Sequence, residues 1–247
     1  KRMLCAGFGS VYQICKAFRN DEIGALHNLE FTMIEWYRLG WDHWQLMEEL
    51  ESLLDELMGS GPAARTSYRK AFETHLELDP FALTPERFAQ ICTRQGDDPP
   101  EYLKNPAVHR DERLNYLMGM FVEPHLGRDG PEFVHDFPAS QACLARISPD
   151  DPTAAQRFEL YCKGLELGNG FYELADPVEQ KERFLRVREA REKAGKESYE
   201  VDDRLLAALE HGLPDCAGVA VGFDRIAMLA LGQKCIDDVL SFSWKRC

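Results

Sequence analysis

The sequence predicts an α+β fold in which an antiparallel β-sheet is flanked by helices. Two runs near the start, residues 10–19 (SVYQICKAFR) and 30–38 (EFTMIEWYR), are rich in β-branched and aromatic residues, and a polar loop containing glycine joins them. A small apolar run near the end, GVAVG, breaks at a glycine and continues as a helical pattern. Between these strands lie several helical patterns, so strands at both ends enclose helices.

Composition limits the classes of protein that this chain can be. With 247 residues, 45% of them hydrophobic, the chain can bury a full core, and we expect one domain over residues 1–247. A formal net charge of -13 opposes non-specific binding to polyanions, so charge does not indicate a nucleic-acid partner. The eight cysteines form no C-x-x-C pair, which is typical of reduced thiols in the cytoplasm. No apolar run has the length of a membrane span or resembles a signal peptide, so we expect no membrane partner.

The first two strands are expected to pair antiparallel across their long connection. Alternation along the second strand places four side chains on one face: Phe31, Met33, Glu35 and Tyr37. An acid among aromatics on one strand face is costly unless something binds there. The sequence therefore indicates a binding surface on this strand.

The next element is expected to be a helix that packs on the core. Asp42 is placed as its N-cap with Gln45 three residues later. Its apolar stripe consists of Leu46, Leu50, Leu53, Leu54 and Leu57. Because this pattern is that of an ordinary core helix, we assign no chemistry to it.

The middle of the chain is expected to be a helical insertion over residues of about 61–130. Its signals are weak, and Asn105-Pro106 is the expected start of a helix through AVHRDERLNYLMGMF. EFVHDF at 132–137 reads as a short strand. Asp176 followed by Pro177 predicts the start of a charged, solvated helix.

Two stretches carry candidate chemistry. Asn169-Gly170 is a hairpin signal, and a turn there would place Glu166 directly across from Glu173. Opposed carboxylates repel unless a cation or a proton lies between them, so the pair is either a site for Mg²⁺ with a phosphate or two solvated surface glutamates. In GVAVGFDR, the strand breaks at Gly222 and Arg225 falls in the first turn of a helix, where a cation needs an acidic partner or an anionic ligand.

These stretches together resemble the class II aminoacyl-tRNA synthetases. Residues 10–38 are similar to motif 2 of that family, with FR before the loop and HNLEFTMIEWY after it. Residues 217–232 are similar to motif 3, and LELGNGFYEL lies between the two. Within the family the chain resembles the lysyl branch, and EFTMIEWYR, HDFPASQACLARIS and GLPDCAGVAVGFDR resemble its shortened paralogues, the elongation factor P lysine ligases. The similarity extends over nearly the whole chain.

The resemblance implies an activity, cofactors and partners. Such enzymes join the carboxylate of lysine to the α-phosphate of ATP and release pyrophosphate. The ligases then pass the aminoacyl group to a lysine side chain of elongation factor P, with β-lysine preferred over lysine. ATP and Mg²⁺ are thus the implied cofactors, elongation factor P is the implied macromolecular partner in place of tRNA, and a cytoplasmic homodimer is the implied form.

The resemblance also implies roles for the residues at matching positions. Arg19 is the implied catalytic residue, because it would neutralise the α-phosphate during attack. The implied ATP-binding residues are Arg19, Asn20, Asp21, Asn28, Phe31 (under adenine), Glu166, Leu167, Gly222 and Arg225 (at the γ-phosphate). The implied residues of the amino-acid pocket are Glu35, Tyr37, Asn169, Glu173 and Ala220, and the implied metal ligands are Glu166 and Glu173.

The chain departs from the family pattern in two places. The family usually has RNE where this chain has Arg19-Asn20-Asp21, so a contact by that acid would be one methylene shorter and could shift to Glu22. The region of motif 1, which builds much of the dimer interface, is missing upstream. Since the chain begins with lysine, we expect it to start inside a longer protein.

Two alternatives to the ligase remain open at the sequence level. The catalytic part of a lysyl-tRNA synthetase would carry an upstream barrel and would charge tRNA. A non-catalytic, synthetase-like binding protein is the second alternative. The intact set of Arg19, Glu166, Glu173 and Arg225 argues against it, because a domain kept for binding alone does not need every charge-handling residue.

Overall fold

The computed structural model describes residues 1–20, 23–193 and 195–246. In these ranges the strands are β1 Val11–Phe18, β2 Glu30–Leu39, β3 Ala64–Ser67, β4 Glu132–Pro138, β5 Ala154–Cys162, β6 Leu165–Tyr172 and β7 Cys216–Gly222. The α-helices are α1 Arg2–Cys5, α2 His43–Met58, α3 Tyr68–Leu76, α4 Pro85–Gln95, α5 Glu101–Lys104, α6 Arg110–Leu117, α7 Pro177–Lys193, α8 Asp203–His211 and α9 Phe223–Ala230. The predicted α+β class is confirmed.

The strands form a mixed sheet in the order β1-β2-β7-β6-β5-β4-β3. β1 with β2, β2 with β7, and β4 with β5 are antiparallel, whereas β3 is parallel to β4. The chain divides into two compact units. The first contains residues 1–50, 143–146 and 169–247, and the second contains residues 51–142 and 147–168. No helix among the described residues combines the length and the apolar character that a membrane crossing requires.

In the first unit, the predicted β1–β2 pair is confirmed. Val11 lies opposite Tyr37 and Phe18 lies opposite Glu30. The core beside these strands consists of the buried side chains Leu4, Leu206, Leu209, Leu213 and Cys216. The strands are therefore anchored on one side by α1 and α8.

Helix α2 starts as its sequence predicts. The Gln45 N–H donates to Asp42 Oδ1 at 2.9 Å, and Gln45 Oε1 accepts from the Asp42 N–H at 3.1 Å, which makes a reciprocal cap. Of the predicted stripe, Leu46, Leu50 and Leu54 are fully buried. Leu57 is half exposed, so the buried stripe ends one turn earlier than predicted.

The second unit corrects the predicted helical insertion at two points. Residues 64–67 form a strand because they pair with β4, where the Thr66 hydroxyl donates to Glu132 at 2.6 Å. The predicted helix start at Asn105-Pro106 is wrong, because α6 begins at Arg110. The cause is Arg113, which is buried and donates to the carbonyl groups of Leu103, Asn105 and Val108, and so holds the preceding residues in a non-helical path.

The predicted hairpin turn at Asn169-Gly170 is also wrong. Both residues lie inside the continuous strand β6. The turn lies instead at Lys163-Gly164, which alone separate β5 from β6 and have φ angles of 54° and 75°. Two successive residues with positive φ are what a two-residue hairpin turn requires, and a lysine gives little signal for that conformation.

Candidate active site

Arg19 and Phe31 come together at the end of the β1–β2 pair where the connecting loop joins the two strands. The Arg19 guanidinium lies 5.5 Å from the centre of the Phe31 ring. The main-chain N–H of Arg19 donates to Leu29 O at 3.0 Å. Because Ala17 lies opposite Phe31, Arg19 follows on the same face of the sheet. The structure therefore places side by side the cation predicted for a phosphate and the ring predicted for a base. Asn20 is exposed beside them, and Asp21 and Glu22 lie outside the described residues.

Residues 23–28, which precede β2, are held by a turn of their own and by a contact with α9. The Gly24 N–H donates to His27 O at 3.1 Å, which closes the loop. Arg225 Nη2 lies 2.6 Å from His27 Nε2. Of the two basic residues predicted from motifs 2 and 3, Arg19 therefore lies where the connection between the strands begins, and Arg225 contacts that connection at His27.

Asn28, a predicted ATP contact, is buried and hydrogen-bonded at both ends of its amide. Its Nδ2 donates to Glu30 O at 2.6 Å, and its Oδ1 accepts from the Trp244 N–H at 3.0 Å. Only 8% of the residue is exposed. The structure thus gives this side chain a link to the C-terminal segment that the sequence did not indicate.

The junction of β7 and α9 fixes the position of Arg225. Asp224 is buried and its Oδ2 accepts from the Thr32 N–H at 2.6 Å, which ties α9 to β2. A Cβ built at Gly222 would meet nothing nearer than the Arg225 side chain at 3.6 Å. Asp224 is a positioning residue that sequence reasoning missed; an acid in the first turn of a helix was its only signal.

Glu35 lies opposite two residues of neighbouring strands. Gln13 faces it from β1, and Gln13 Nε2 donates to Glu35 Oε2 at 2.5 Å. Ala220 faces it from β7. One carboxylate oxygen is thus fixed by a neutral amide, which leaves the full negative charge of Glu35 to act on a ligand. Gln13 was not predicted, because its role depends on strand register.

Tyr37 and Glu173 lie against the backbone of Gly218. A Cβ at that glycine would lie 2.4 Å from Tyr37 Cε1 and 2.7 Å from Glu173 Oε1, so only glycine leaves room for both side chains. Burial, with the charges of Glu173 and Glu35, raises the pKa of Tyr37 and keeps its hydroxyl protonated. The two predicted pocket residues are therefore brought together; a glycine in a strand was the signal for Gly218.

The charge of Glu173 is balanced within the chain, and the alternative of a solvated surface glutamate is wrong for this residue, because it is buried. Its Oε2 is 2.5 Å from Lys1 Nζ, and both side chains are almost fully buried. Burial raises the pKa of Glu173, while Lys1 opposes that shift. Arg146 Nε donates to Glu173 O at 2.7 Å, and Arg146 Nη2 pairs with Asp215 at 2.5 Å. Asn169, the last predicted pocket residue, is half-buried within β6.

Glu166 and Leu167 belong to the second unit. The charges of Glu159, Glu123 and Glu166 add to burial in raising the pKa of Tyr161. Leu167 is only 2% exposed, so its side chain faces the core and only its backbone could contact a nucleotide. The predicted cross-strand pairing of Glu166 with Glu173 is wrong, because Glu166 lies in β6 and Glu173 directly follows the last residue of that continuous strand, Tyr172.

The described residues contain no group of three or more histidine, cysteine, aspartate or glutamate side chains that could hold a metal ion. Glu173 does not fit a metal in this arrangement, because the Lys1 ammonium occupies its carboxylate. Glu166 is half-buried in β6, and its carboxylate is the kind of ligand that fits Mg²⁺, which is usually held by one or two carboxylates together with phosphates and water.

Comparison with known proteins gives two findings. Residues 1–246 match the family model of class II tRNA synthetases (D, K and N). Three similar curated proteins each bear the name elongation factor P (R)-β-lysine ligase. The protein from Klebsiella pneumoniae subsp. pneumoniae is 46% identical over 100% of this chain and 75% of its own length. Those from Yersinia enterocolitica and Vibrio atlanticus are each 47% identical, over 98% and 100% of this chain and 74% and 75% of their own lengths.

Proposed function

The chain belongs to the class II tRNA synthetase family (D, K and N), and we propose that it is an ATP-dependent ligase that activates (R)-β-lysine and transfers it to elongation factor P. In the first step the amino-acid carboxylate attacks the α-phosphorus of ATP, and the bond from that phosphorus to pyrophosphate breaks. In the second step a lysine side-chain amine of elongation factor P attacks the activated carbonyl, and AMP leaves. Three relatives that carry this name support the proposal.

The observation that carries the proposal is the position of Arg19 beside Phe31. A guanidinium 5.5 Å from the ring centre can reach the phosphate of a nucleotide whose base stacks on that ring. Charge that develops on the α-phosphate during attack is then stabilised by a donor already in place. Arg225, at the same loop through His27, is the proposed contact of the terminal phosphate.

The charges around Tyr37 favour a substrate with two amines and one carboxylate. Glu35 and Glu173 contribute two negative charges, and Lys1 neutralises one of them. The remaining single negative charge complements the net positive charge of lysine or β-lysine at neutral pH. Glu35 is therefore the proposed partner of a substrate ammonium group, and Glu173 acts through Tyr37 and Lys1.

Further parts of the proposal concern the metal, the assembly and the compartment. We propose that Mg²⁺ enters with ATP and that Glu166 contributes a carboxylate oxygen, because a hard cation prefers such ligands. A homodimer in the cytoplasm completes the proposal. Both parts follow from the family resemblance. Sedimentation of the protein at several concentrations tests the homodimer.

The direct test is pyrophosphate exchange into ATP with (R)-β-lysine. Arg19→Ala should lower the exchange rate about a hundredfold or more, because loss of one donor to developing charge costs roughly 3–4 kcal/mol. Arg69→Ala is the matched control, since Arg69 also lies over an aromatic ring, Phe81, at 4.6 Å. Equal exchange by folded Arg19→Ala and Arg69→Ala would contradict the role of Arg19.

A further inference from the structure

The C-terminal segment 235–246 is bound to the loop 23–28 through two of its own main-chain N–H groups. The Ile236 N–H donates to Ala25 O at 2.7 Å. The Trp244 N–H donates to Asn28 Oδ1 at 3.0 Å. Both bonds reach the loop that follows Arg19 and precedes Phe31, so the end of the described chain touches the candidate nucleotide site.

The segment folds on itself around Asp237. Lys245 Nζ lies 2.8 Å from Asp237 Oδ2, and the Arg246 guanidinium donates to Asp237 O. Ile236 and Ser243 are buried, which fixes both arms of the segment. The segment 235–246 is therefore fixed by its own contacts and can in turn fix the loop 23–28 to which it is bonded.

The contact at Trp244 depends on its backbone more than on its side chain. Trp244 is 58% exposed and Phe242, two residues before it, is 82% exposed, so neither residue packs into a core. The bond to Asn28 is made by the main-chain N–H of Trp244 and not by its ring. Removing that N–H should loosen the segment from the loop, whereas removing the ring should not.

Asn28 is suited to transmit this contact to β2. Its amide joins the Trp244 N–H on one side to Glu30 O, at the start of β2, on the other. The same loop touches Arg225 through His27. A fixed Asn28 thus helps to fix a loop that lies between Arg19 and Phe31.

We propose that residues 235–246 act as a C-terminal latch that orders the loop 23–28 for ATP, and that Asn28 is the positioning residue through which the latch acts. The inference rests on the proposed function, because it assigns ATP to this loop. A loop ordered before the nucleotide arrives loses less conformational freedom on binding, so the latch should act on the affinity for ATP. It should leave the affinity for the amino acid unchanged.

The test compares Trp244→Pro with Trp244→Ala in pyrophosphate exchange. Both variants remove the indole ring, but proline also removes the N–H donor, at the first residue of a short helix, a position that it tolerates, whereas alanine keeps the donor. The difference between the two variants therefore isolates the N–H. Trp244→Pro should raise KM for ATP about fivefold, the usual effect of one lost hydrogen bond, with KM for (R)-β-lysine unchanged. Trp244→Ala should match the parent.

Asn28→Ala and the double variant Asn28→Ala/Trp244→Pro, measured together with Trp244→Pro and the parent, form a double-mutant cycle. If Asn28 acts through the latch, the double variant should be no worse than either single one. Additive losses, or a raised KM in Asn28→Ala with an unchanged KM in Trp244→Pro, would show a direct nucleotide contact and overturn the proposal.

Amide hydrogen exchange of the ATP-free protein gives a readout that does not need activity. Trp244→Pro should increase exchange at the Gly24 N–H, which closes the loop, relative to Trp244→Ala. Unchanged exchange would overturn the latch. Absence of pyrophosphate exchange in the parent would instead contradict the proposed function, so the two failures are distinguishable.

Discussion

At the scale of single residues, the charge balance at Glu173 sets the net charge of the proposed amino-acid pocket. A buried carboxylate is tolerated because Lys1 Nζ lies 2.5 Å away. Tyr37 lies beside it with a raised pKa, so the tyrosine remains a neutral donor. The pocket therefore contains a neutralised acid, Glu173, and an acid fixed by an amide, Glu35. Two chemically similar glutamates thus have different roles because of their neighbours.

Lys1→Met should destabilise the protein by about 3–5 kcal/mol at neutral pH, because it leaves a buried charge without a partner. Burial already raises the pKa of Glu173. Without Lys1 the pKa of Glu173 in the folded protein rises further above its value in the unfolded chain. The variant therefore loses folding stability as the pH rises towards that pKa and the buried carboxyl has to ionise. The deficit relative to the parent should be larger at pH 8 than at pH 5 in urea unfolding. Adding Glu173→Gln should restore most of the loss; an equal deficit at both pH values would contradict this account.

Gly218→Ala should perturb the amino-acid pocket specifically. The added methyl group would lie 2.4 Å from the Tyr37 ring and 2.7 Å from Glu173 Oε1, and such overpacking typically costs about 1–3 kcal/mol. We expect KM for (R)-β-lysine to rise tenfold or more, with KM for ATP little changed. Gly119→Ala is the control, because a Cβ there meets nothing within 4 Å. Equal amino-acid KM values in the two variants would refute this role of Gly218.

Several site residues could be named from sequence and others could not. Arg19, Phe31 and Arg225 were predicted from motifs, and the structure gathers them at one loop. Lys1 and Gln13 were missed, because their roles depend on which strands become neighbours. Their partners lie far along the chain or across a register that local sequence does not specify.

At the scale of elements, the sequence predicted correctly those elements whose contacts join residues near one another in the chain. The cap of α2 and the β1–β2 pair follow from residues next to each other in sequence. β3 did not, because it exists through parallel pairing with β4 more than sixty residues away. The turn at Lys163-Gly164 was missed because a lysine with positive φ leaves no sequence signal.

Helix α2 offers a test of how its buried face contributes to stability. Leu50→Ala should lower the free energy of unfolding by about 2–5 kcal/mol, because Leu50 is fully buried. Leu57→Ala, on the same helix but half exposed, should change it by less than about 0.5 kcal/mol. Urea denaturation of both variants measures the difference. Similar losses would contradict the observed end of the buried stripe.

At the scale of the whole molecule, the family resemblance predicted from three motifs is confirmed over residues 1–246. They were sufficient because motif 2 and motif 3 occur in the required order, near the start and near the end of the chain, with the third stretch, LELGNGFYEL, between them. The pairing of Glu173 with Lys1 was beyond that resemblance, since it is a property of this fold's packing. The motif resemblance implies the same roles for Arg19 and Phe31 in a ligase and in a tRNA synthetase, so the proposed acceptor is what distinguishes the two functions.

The most direct test of the central claim follows the aminoacyl group to its acceptor. The protein is incubated with ATP, Mg²⁺ and either labelled (R)-β-lysine or labelled lysine, in the presence of elongation factor P and lysine tRNA together. The account predicts that label from (R)-β-lysine appears on elongation factor P faster than label from lysine, that Arg19→Ala abolishes it, and that tRNA stays unlabelled. Faster activation of lysine with label on tRNA would contradict the account and assign the chain to tRNA charging.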